Sequence, residues 1–309
     1  MTATAKALVF RDVTCRFGDV VALNRVTLEL DAGVTALVGP NGAGKSSFMK
    51  AATGQVRPVL GRIEAFGQPI WDNPAALARL GYVPEQDAFY ESMTGIDFVT
   101  SLAILSGLSH GQARAAAEAE LTALGLTEAW ERPIKTYSKG MRQRVKLAQA
   151  LVHQPDLLFL DEPLLGCDPI ARRRIQDRVH GLASEGCTVL MASHILPEVE
   201  RLTRRIAILS AGRLVAQGDA GQVRDALTQI PSRVRIQTGA PRAVAADLSS
   251  WDDVQAVRIQ NGAVELETSR LRATLERLHT QPGKAWALRG IETMDDDLDS
   301  LFGYLAEGT

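Results

Sequence analysis

Cysteine is scarce in this 309-residue chain: only Cys15, Cys167 and Cys187 occur, odd in number and far apart. A disulfide framework or cysteine-built zinc site is therefore not expected, no disulfide partner is implied, and the usage suits a reducing cytoplasm. Long apolar runs are missing as well. Nothing approaches the roughly 18–20 residues that cross a bilayer, and the opening MTATAKALVF lacks the apolar core of a signal peptide. Any service to a membrane would be that of a peripheral subunit. Charge of one sign is also missing: 34 Lys+Arg meet 36 Asp+Glu for a net charge of -2. No overall basic field invites nucleic acid. No segment repeats and none is of low complexity, so collagen-like and disordered readings fall away. What is present, 46% hydrophobic and 23% charged residues, is ordinary for a globular protein, with length for about two domains.

From about residue 5 to 222, short apolar runs alternate with helical patterns, as in an α/β domain. ALVFRDVTCRF and ALNRVTLEL read as early strands. VTALVG, DLLFLD, TVLMAS and RIAILS read as short buried strands, and AGRLVAQG as a terminal hairpin. In MRQRVKLAQALV the apolar residues Val145, Ala148, Leu151 and Val152 mark a helical face. After Gly221 the texture changes. RVRIQT, VQAVRIQ, AVELETS and AWALRGIE read as strands; PRAVAADL, RLRATLERLH and DLDSLFGYL read as helices. Asn261-Gly262 between two of the strands is a strong hairpin signal. The order β-α-β-β-α-β is the split βαβ pattern of a small ferredoxin-like domain, placed at 223–309. That stretch carries 10 Lys+Arg and 13 Asp+Glu, against 24 and 23 before it. Neither part is basic enough for nucleic acid.

The sharpest local signal is Gly39-Pro40-Asn41-Gly42-Ala43-Gly44-Lys45-Ser46, with Ser47 next. It fits the P-loop template, follows a strand pattern and opens a helix. Glycines let the backbone bend so that successive N–H groups face a phosphate, and the helix N-terminus adds partial positive charge. Lys45 suits the terminal phosphates, and the Ser46 hydroxyl suits Mg²⁺. A glycine-rich turn before a helix is the plain alternative, but a chance match in a chain of this length is roughly a 1% event. The strand–loop–helix context favours nucleotide binding further.

A P-loop alone does not choose between a kinase, a GTPase and a motor. DLLFLDEP narrows the choice: a buried parallel strand would carry Asp161 and Glu162 to its C-terminal edge, where α/β ligands bind. Asp161 suits a Mg²⁺ contact, and Glu162 suits polarising an attacking water. An acidic turn after a core strand is the plain alternative. The absence of an NKxD motif weighs against a GTPase.

At this point residues 5–222 resemble the ATP-binding subunit of ATP-binding cassette (ABC) transporters. Tyr137-Ser138-Lys139-Gly140-Met141 resembles the family signature LSGGQ, departing at Lys139 and Met141 while keeping Ser138 and Gly140. In the family those two residues approach the γ-phosphate, and Ser138 can also cap the helix whose dipole faces that anion. Phe17 stands where an aromatic stacks on adenine, and His194 where a switch histidine meets the γ-phosphate. Gly166-Cys167-Asp168 resembles the loop that crosses the dimer interface; DEPLLGCDP departs from the family's DEPTxGLDP at Leu164 and Cys167. In LGYVPEQDAFY, read as a loop, Glu85 aligns with the family's Mg²⁺- and water-contacting glutamine, although Gln86 follows. A carboxylate serves a hard cation through oxygen. Residues 87–94 would border the groove that receives a transmembrane partner, with Phe89 and Tyr90 open to that role or to local core. YSKGMRQR, GYVPE and a tail ending near DDLDSLFGYL look most like the exporter-type subfamily called ABC-2.

The resemblance implies an α/β P-loop NTPase fold, an ABC ATPase domain with a helical signature subdomain, followed by the small C-terminal α+β domain. It implies a homodimer with two ATP–Mg²⁺ between the P-loop of one copy and the signature of the other. It further implies hydrolysis that reopens the pair, separate transmembrane permease subunits, and a peripheral place on the cytoplasmic face of the membrane. A soluble cassette ATPase of ribosomes or DNA is the alternative, but its paired cassettes or long coiled coils are missing. A non-hydrolysing nucleotide switch is a second alternative, opposed by Lys45, Glu162 and His194. The runs Arg172-Arg173-Arg174 and Arg204-Arg205 read as solvated helix faces, and Asp295-Asp296-Asp297 as charge favouring the final helix's N-terminus.

Overall fold

The computed structural model describes residues 6–195, 198–199, 201–220, 232–280 and 286–294. The chain divides into two compact units, Met1–Gln217 and Gly218–Thr309. That boundary falls a few residues before the change of sequence texture. The first unit begins with β1 (Leu8–Phe17), β2 (Val20–Leu30), β3 (Gly33–Val38), α1 (Lys45–Ala52), β4 (Leu60–Ala65), β5 (Gln68–Pro69), α2 (Pro74–Leu77) and β6 (Leu80–Val83). It continues with α3 (Gly95–Leu105), α4 (His110–Ala123), α5 (Lys139–Leu151), β7 (Leu157–Asp161), α6 (Pro169–Ser184), β8 (Thr188–Ser193), β9 (Arg205–Ser210) and β10 (Arg213–Asp219), whose last two residues pass the boundary.

Two sheets result. β2-β1-β4-β5 is antiparallel, and β10-β9-β3-β8-β7-β6 is parallel from β9 through β6. Every residue of β7 and β8 is buried. This explains their near-continuous apolar sequences, since a parallel strand is covered on both faces. β1 instead alternates buried and exposed stretches, as a strand with one solvated face does. Phe10 of β1 stacks on Phe48 of α1 with ring centroids 4.1 Å apart, joining the two sheets through one core. The stretch Leu80–Val83, expected in a loop, is instead the edge strand β6; its four residues and internal Gly81 give too short a pattern to read as a strand.

Between β6 and β7 the chain builds a helical lobe from α3, α4 and α5. Thr94 caps α3, accepting from the Asp97 N–H at 3.2 Å, and Ser138 caps α5. The α5 positions Val145, Ala148, Leu151 and Val152 are buried, as their spacing predicts. The basic runs are not simple solvated faces. Arg173 is exposed, but Arg172 pairs with Glu198 at 2.9 Å, and the Arg174 guanidinium occupies the space beside Gly125 where a side chain would stand. Arg204 precedes a strand rather than lying on a helix, and Arg205 opens β9 and donates to the Ala32 carbonyl at 2.7 Å.

The second unit contains β11 (Ser232–Thr238), α7 (Pro241–Leu248), β12 (Val254–Gln260), β13 (Ala263–Thr268), α8 (Leu271–Thr280) and β14 (Leu288–Thr293). Its sheet runs β12-β13-β11-β14, antiparallel throughout. Asn261 and Gly262 both take positive φ, 51° and 78°, the geometry of a tight hairpin turn. Val234, Ile236, Val264, Leu266, Trp251 and Trp286 form a separate core, and the Trp286 indole donates to Asp247 at 2.7 Å. The helix expected over DLDSLFGYL and the run Asp295–Asp297 lie outside the described residues.

Candidate functional site

The P-loop spans the turn from β3 to α1. Gly39 packs against the Leu209 carbonyl so closely that no Cβ fits. Gly44, at φ 103°, is the residue before α1; a Cβ there would stand 2.6 Å from the Ala22 carbonyl. Both positions therefore require glycine for different reasons, close approach and a left-handed backbone. The Ala43 N–H donates to the Pro40 carbonyl at 3.1 Å and tightens the loop. Lys45 is 7% exposed, and its ammonium donates to the Gly39 carbonyl at 2.6 Å and the Pro40 carbonyl at 3.1 Å. The N–H groups of the first turn of α1 lie beyond the intrahelical ladder and form an anion-receptive end.

Opposite this loop, β7 delivers its two acids. Asp161 is 2% exposed, and its Oδ1 has no hydrogen-bond partner among the described residues. Burial pushes its carboxyl up to about 6, and Glu85 and Glu162 push the same way, while a hydrogen bond from Ser46 and the charge of Lys45 oppose the shift. A buried carboxylate oxygen without a partner, beside a hydroxyl and a second carboxylate, is a donor set suited to a hard cation. No group of three His, Cys, Asp or Glu gathers to cage a metal among the described residues. A cation that takes most of its shell from phosphate and water fits such a partial set.

Glu162 adopts φ 49°, a left-handed conformation uncommon outside glycine, asparagine and aspartate. Its backbone is locked there: its N–H donates to the Ala192 carbonyl at 3.1 Å, and its carbonyl accepts from Gln143 Nε2 at 3.2 Å. The side chain, buried like the backbone, lies 2.8 Å from His194 Nδ1 through Oε1. β8 positions His194 one residue past its C-terminal end. Strain held by several bonds at the edge of a parallel sheet is the pattern expected where a side chain must point into a site.

These groups line a cleft of about 760 Å³. Asn41, Gly42, Gly44, Lys45, Ser46 and Ser47 of the P-loop segment line it together with Glu85, Asp161, Glu162 and His194. Gln86 does not line it, so the cleft receives the residue the alignment selected. Phe17 stands at the mouth, 42% exposed, which excludes a core role for its ring. Gly39, Pro40 and Ala43 shape the loop from behind. Sequence reasoning missed Val20, Val21, Leu165, Ala211 and Gly212, which also line the cleft. Val20 and Val21, just after Phe17, are exposed, which the sequence does not reveal. Gly212 gave no signal either: its N–H donates to the Ala43 carbonyl at 2.9 Å, and its carbonyl accepts from the Asn24 N–H at 2.8 Å, contacts made only by the fold.

Ser138, Gly140 and Asp168 stand apart from the cleft lining. Ser138 Oγ accepts from the Met141 N–H at 3.3 Å, and Asp168 Oδ1 from the Ala171 N–H at 2.8 Å. Gly140 lies between them; a Cβ there would be 3.4 Å from Asp168 Oδ2. Two helix N-termini, those of α5 and α6, thus adjoin. Leu164 and Cys167, the departures from DEPTxGLDP, are buried and fill the loop between β7 and α6. Phe89 packs edge-on against Phe98 at 5.1 Å, whereas Tyr90 is 71% exposed, so the two aromatics divide between local core and surface.

Comparison with known proteins agrees with this geometry. The ABC transporter family model matches residues 23–165. The chain is 37% identical over 231 residues to the daunorubicin/doxorubicin resistance ATP-binding protein DrrA of Streptomyces peucetius, covering 74% of this chain and 70% of that one. It is 34% identical over 220 residues to the Nod factor export ATP-binding protein I of Cupriavidus metallidurans, covering 71% and 73%. Among solved structures, an ATP binding subunit of an ABC transporter superposes with TM-score 0.66 at 30% identity, covering 71% of this chain and 92% of its own. A P-loop, a strand-end acid pair and a signature helix on one α/β core, with relatives of this kind, place the chain in the ABC transporter family as an ATP-hydrolysing, ATP-binding subunit of the exporter type.

Proposed function

We propose that the cleft holds ATP with Mg²⁺ and that two copies of the chain close on two nucleotides, the P-loop of each facing Ser138 and Gly140 of the other. Ser138 and Asp168 stand outside the cleft that holds Lys45, at two adjoining helix N-termini whose partial positive charge favours an anion, which supports a role toward the nucleotide of the other copy. Lys45 neutralises the terminal phosphates, the P-loop N–H groups cradle them, and Phe17 stacks on the base. Ser46, Asp161 and Glu85 hold the Mg²⁺, which when bound polarises the phosphates and offsets their charge. Glu162 accepts the proton of the attacking water, and His194, 2.8 Å from its Oε1, orients that carboxylate. Separate transmembrane permease subunits dock near residues 87–94 and hold the chain at the cytoplasmic face of the membrane. No helix among the described residues is long and apolar enough to span it. The second unit acts on the pairing of the two copies rather than on ATP itself.

The observation that carries this reading is the Glu162 carboxylate, 2.8 Å from His194 and lining the same cleft as Lys45 and Ser46. Glu162→Gln is expected to keep ATP affinity, lower turnover at least about a hundredfold, and trap an ATP-bound dimer in size-exclusion chromatography. Near-normal hydrolysis by that variant would remove Glu162 from its role.

A further inference from the structure

Helix α5 does more than present Ser138. One of its faces carries Arg142, Lys146 and Gln149, with His153 just past its C-terminal end, and each reaches across to the segment that runs from β6 toward the cleft. His153 Nε2 lies 2.9 Å from the Leu80 carbonyl, and Gln149 Nε2 donates to the Tyr82 carbonyl at 3.0 Å. Those two satisfy the outer edge of β6, as an edge strand requires. Lys146 goes further. Its ammonium donates to the Pro84 carbonyl at 3.0 Å and the Glu85 carbonyl at 2.9 Å, and pairs with Asp87 Oδ1 at 3.0 Å. Arg142 then clamps Glu91 through two bonds of 2.6 and 2.7 Å.

The Lys146 side chain is 4% exposed. An ammonium is costly to bury unless its protons are matched. Here three N–H groups meet three oxygens, two of them the Pro84 and Glu85 carbonyls, which flank the Glu85 Cα. An apolar residue would fill the same space but leave both carbonyls and Asp87 without this donor, so the position calls for a group that holds those oxygens together. We propose that Lys146 is a positioning residue: from the helix that presents Ser138, it fixes the backbone of Glu85 and so aims the Glu85 carboxylate into the cleft. The inference rests on the assignment of Glu85 to the Mg²⁺ site made above. It adds that the residue setting Glu85's geometry lies 61 positions away on the signature helix.

The test uses the full chain with Lys146→Met. Hydrogen exchange of the amides around 84–87 should accelerate while that of the P-loop does not. The Mg²⁺ concentration giving half-maximal ATPase should rise about tenfold or more, the scale for loss of a group supporting a metal ligand. Binding of a fluorescent ATP analogue in EDTA should be unchanged. The double variant Lys146→Met/Glu85→Ala should show the same Mg²⁺ dependence as Glu85→Ala alone, because one residue acts through the other. If the methionine variant fails to fold, Lys146→Gln keeps an NH2 group with two N–H donors and should give a smaller shift of the same sign. An unchanged Mg²⁺ dependence in folded protein, or additive effects in the double variant, overturns the proposal. Glu85→Ala with wild-type Mg²⁺ dependence would instead overturn the assignment of Glu85, and the single variant reveals this without any change at Lys146.

Discussion

Replacing Asp161 with asparagine tests the energetics of the cleft directly. The Asp161 carboxyl is raised from 3.8 to about 6, chiefly because burial disfavours its charge. The folded chain therefore holds this proton more tightly than the unfolded chain does. Stability from the group is intact below the unfolded value and is lost as pH rises through about 6, so near pH 7.5 the whole cost is present. A shift of roughly two units corresponds to about 3 kcal/mol. Asparagine is neutral at every pH but still leaves a buried oxygen to satisfy, which reduces the expected gain to about 1–3 kcal/mol. Spread over a unit of this size, that is a rise in melting temperature of roughly 3–8 °C. The assay is differential scanning fluorimetry without nucleotide, in EDTA, across pH 4 to 8. Asp161→Asn should melt higher than the wild type at pH 7.5, with the difference shrinking as pH falls below 6. With ATP and Mg²⁺ the order should reverse, because only the wild type offers the cation a carboxylate at position 161. A variant that melts lower at pH 7.5 in EDTA, or a difference independent of pH, would refute the reasoning.

Ser138→Arg is expected to leave ATP binding by the monomer intact and to block nucleotide-dependent pairing; unchanged dimerisation and hydrolysis at saturating protein would reject the head-to-tail arrangement. Phe17→Ala should weaken ATP about tenfold, the scale of one lost stack on a base, with equal loss for other purine nucleotides in competition binding. An unchanged affinity removes Phe17 from the base site. A chain ending near Gly221 should keep its nucleotide affinity while its dimerisation or coupling changes, as measured by equilibrium binding and light scattering; loss of ATP binding by a folded truncation would contradict that division of labour.

Several parts of this protein were legible from the chain alone because their chemistry is contiguous. The P-loop is one run of residues whose glycines answer to local backbone demands, and Asp161-Glu162 follow a strand whose continuous apolar character announces burial on both faces. The hairpin at Asn261-Gly262 declares itself through two residues that tolerate positive φ. Other parts became visible only in three dimensions. Glu162 and His194 are 32 positions apart, and only the pairing of β7 with β8 brings their side chains together. Arg172 and Arg174 looked solvated because a basic run carries no mark of Glu198 or of the space beside Gly125. Lys146 reads as the polar side of an amphipathic helix, yet it is among the buried residues. Sequence periodicity reports which residues are apolar, and it thereby determined the buried strands such as β7 and the buried face of α5, while glycine spacing determined the P-loop. Whether a polar residue is solvated or buried depends on which oxygens other segments place within reach of its protons, and only the tertiary structure decides that.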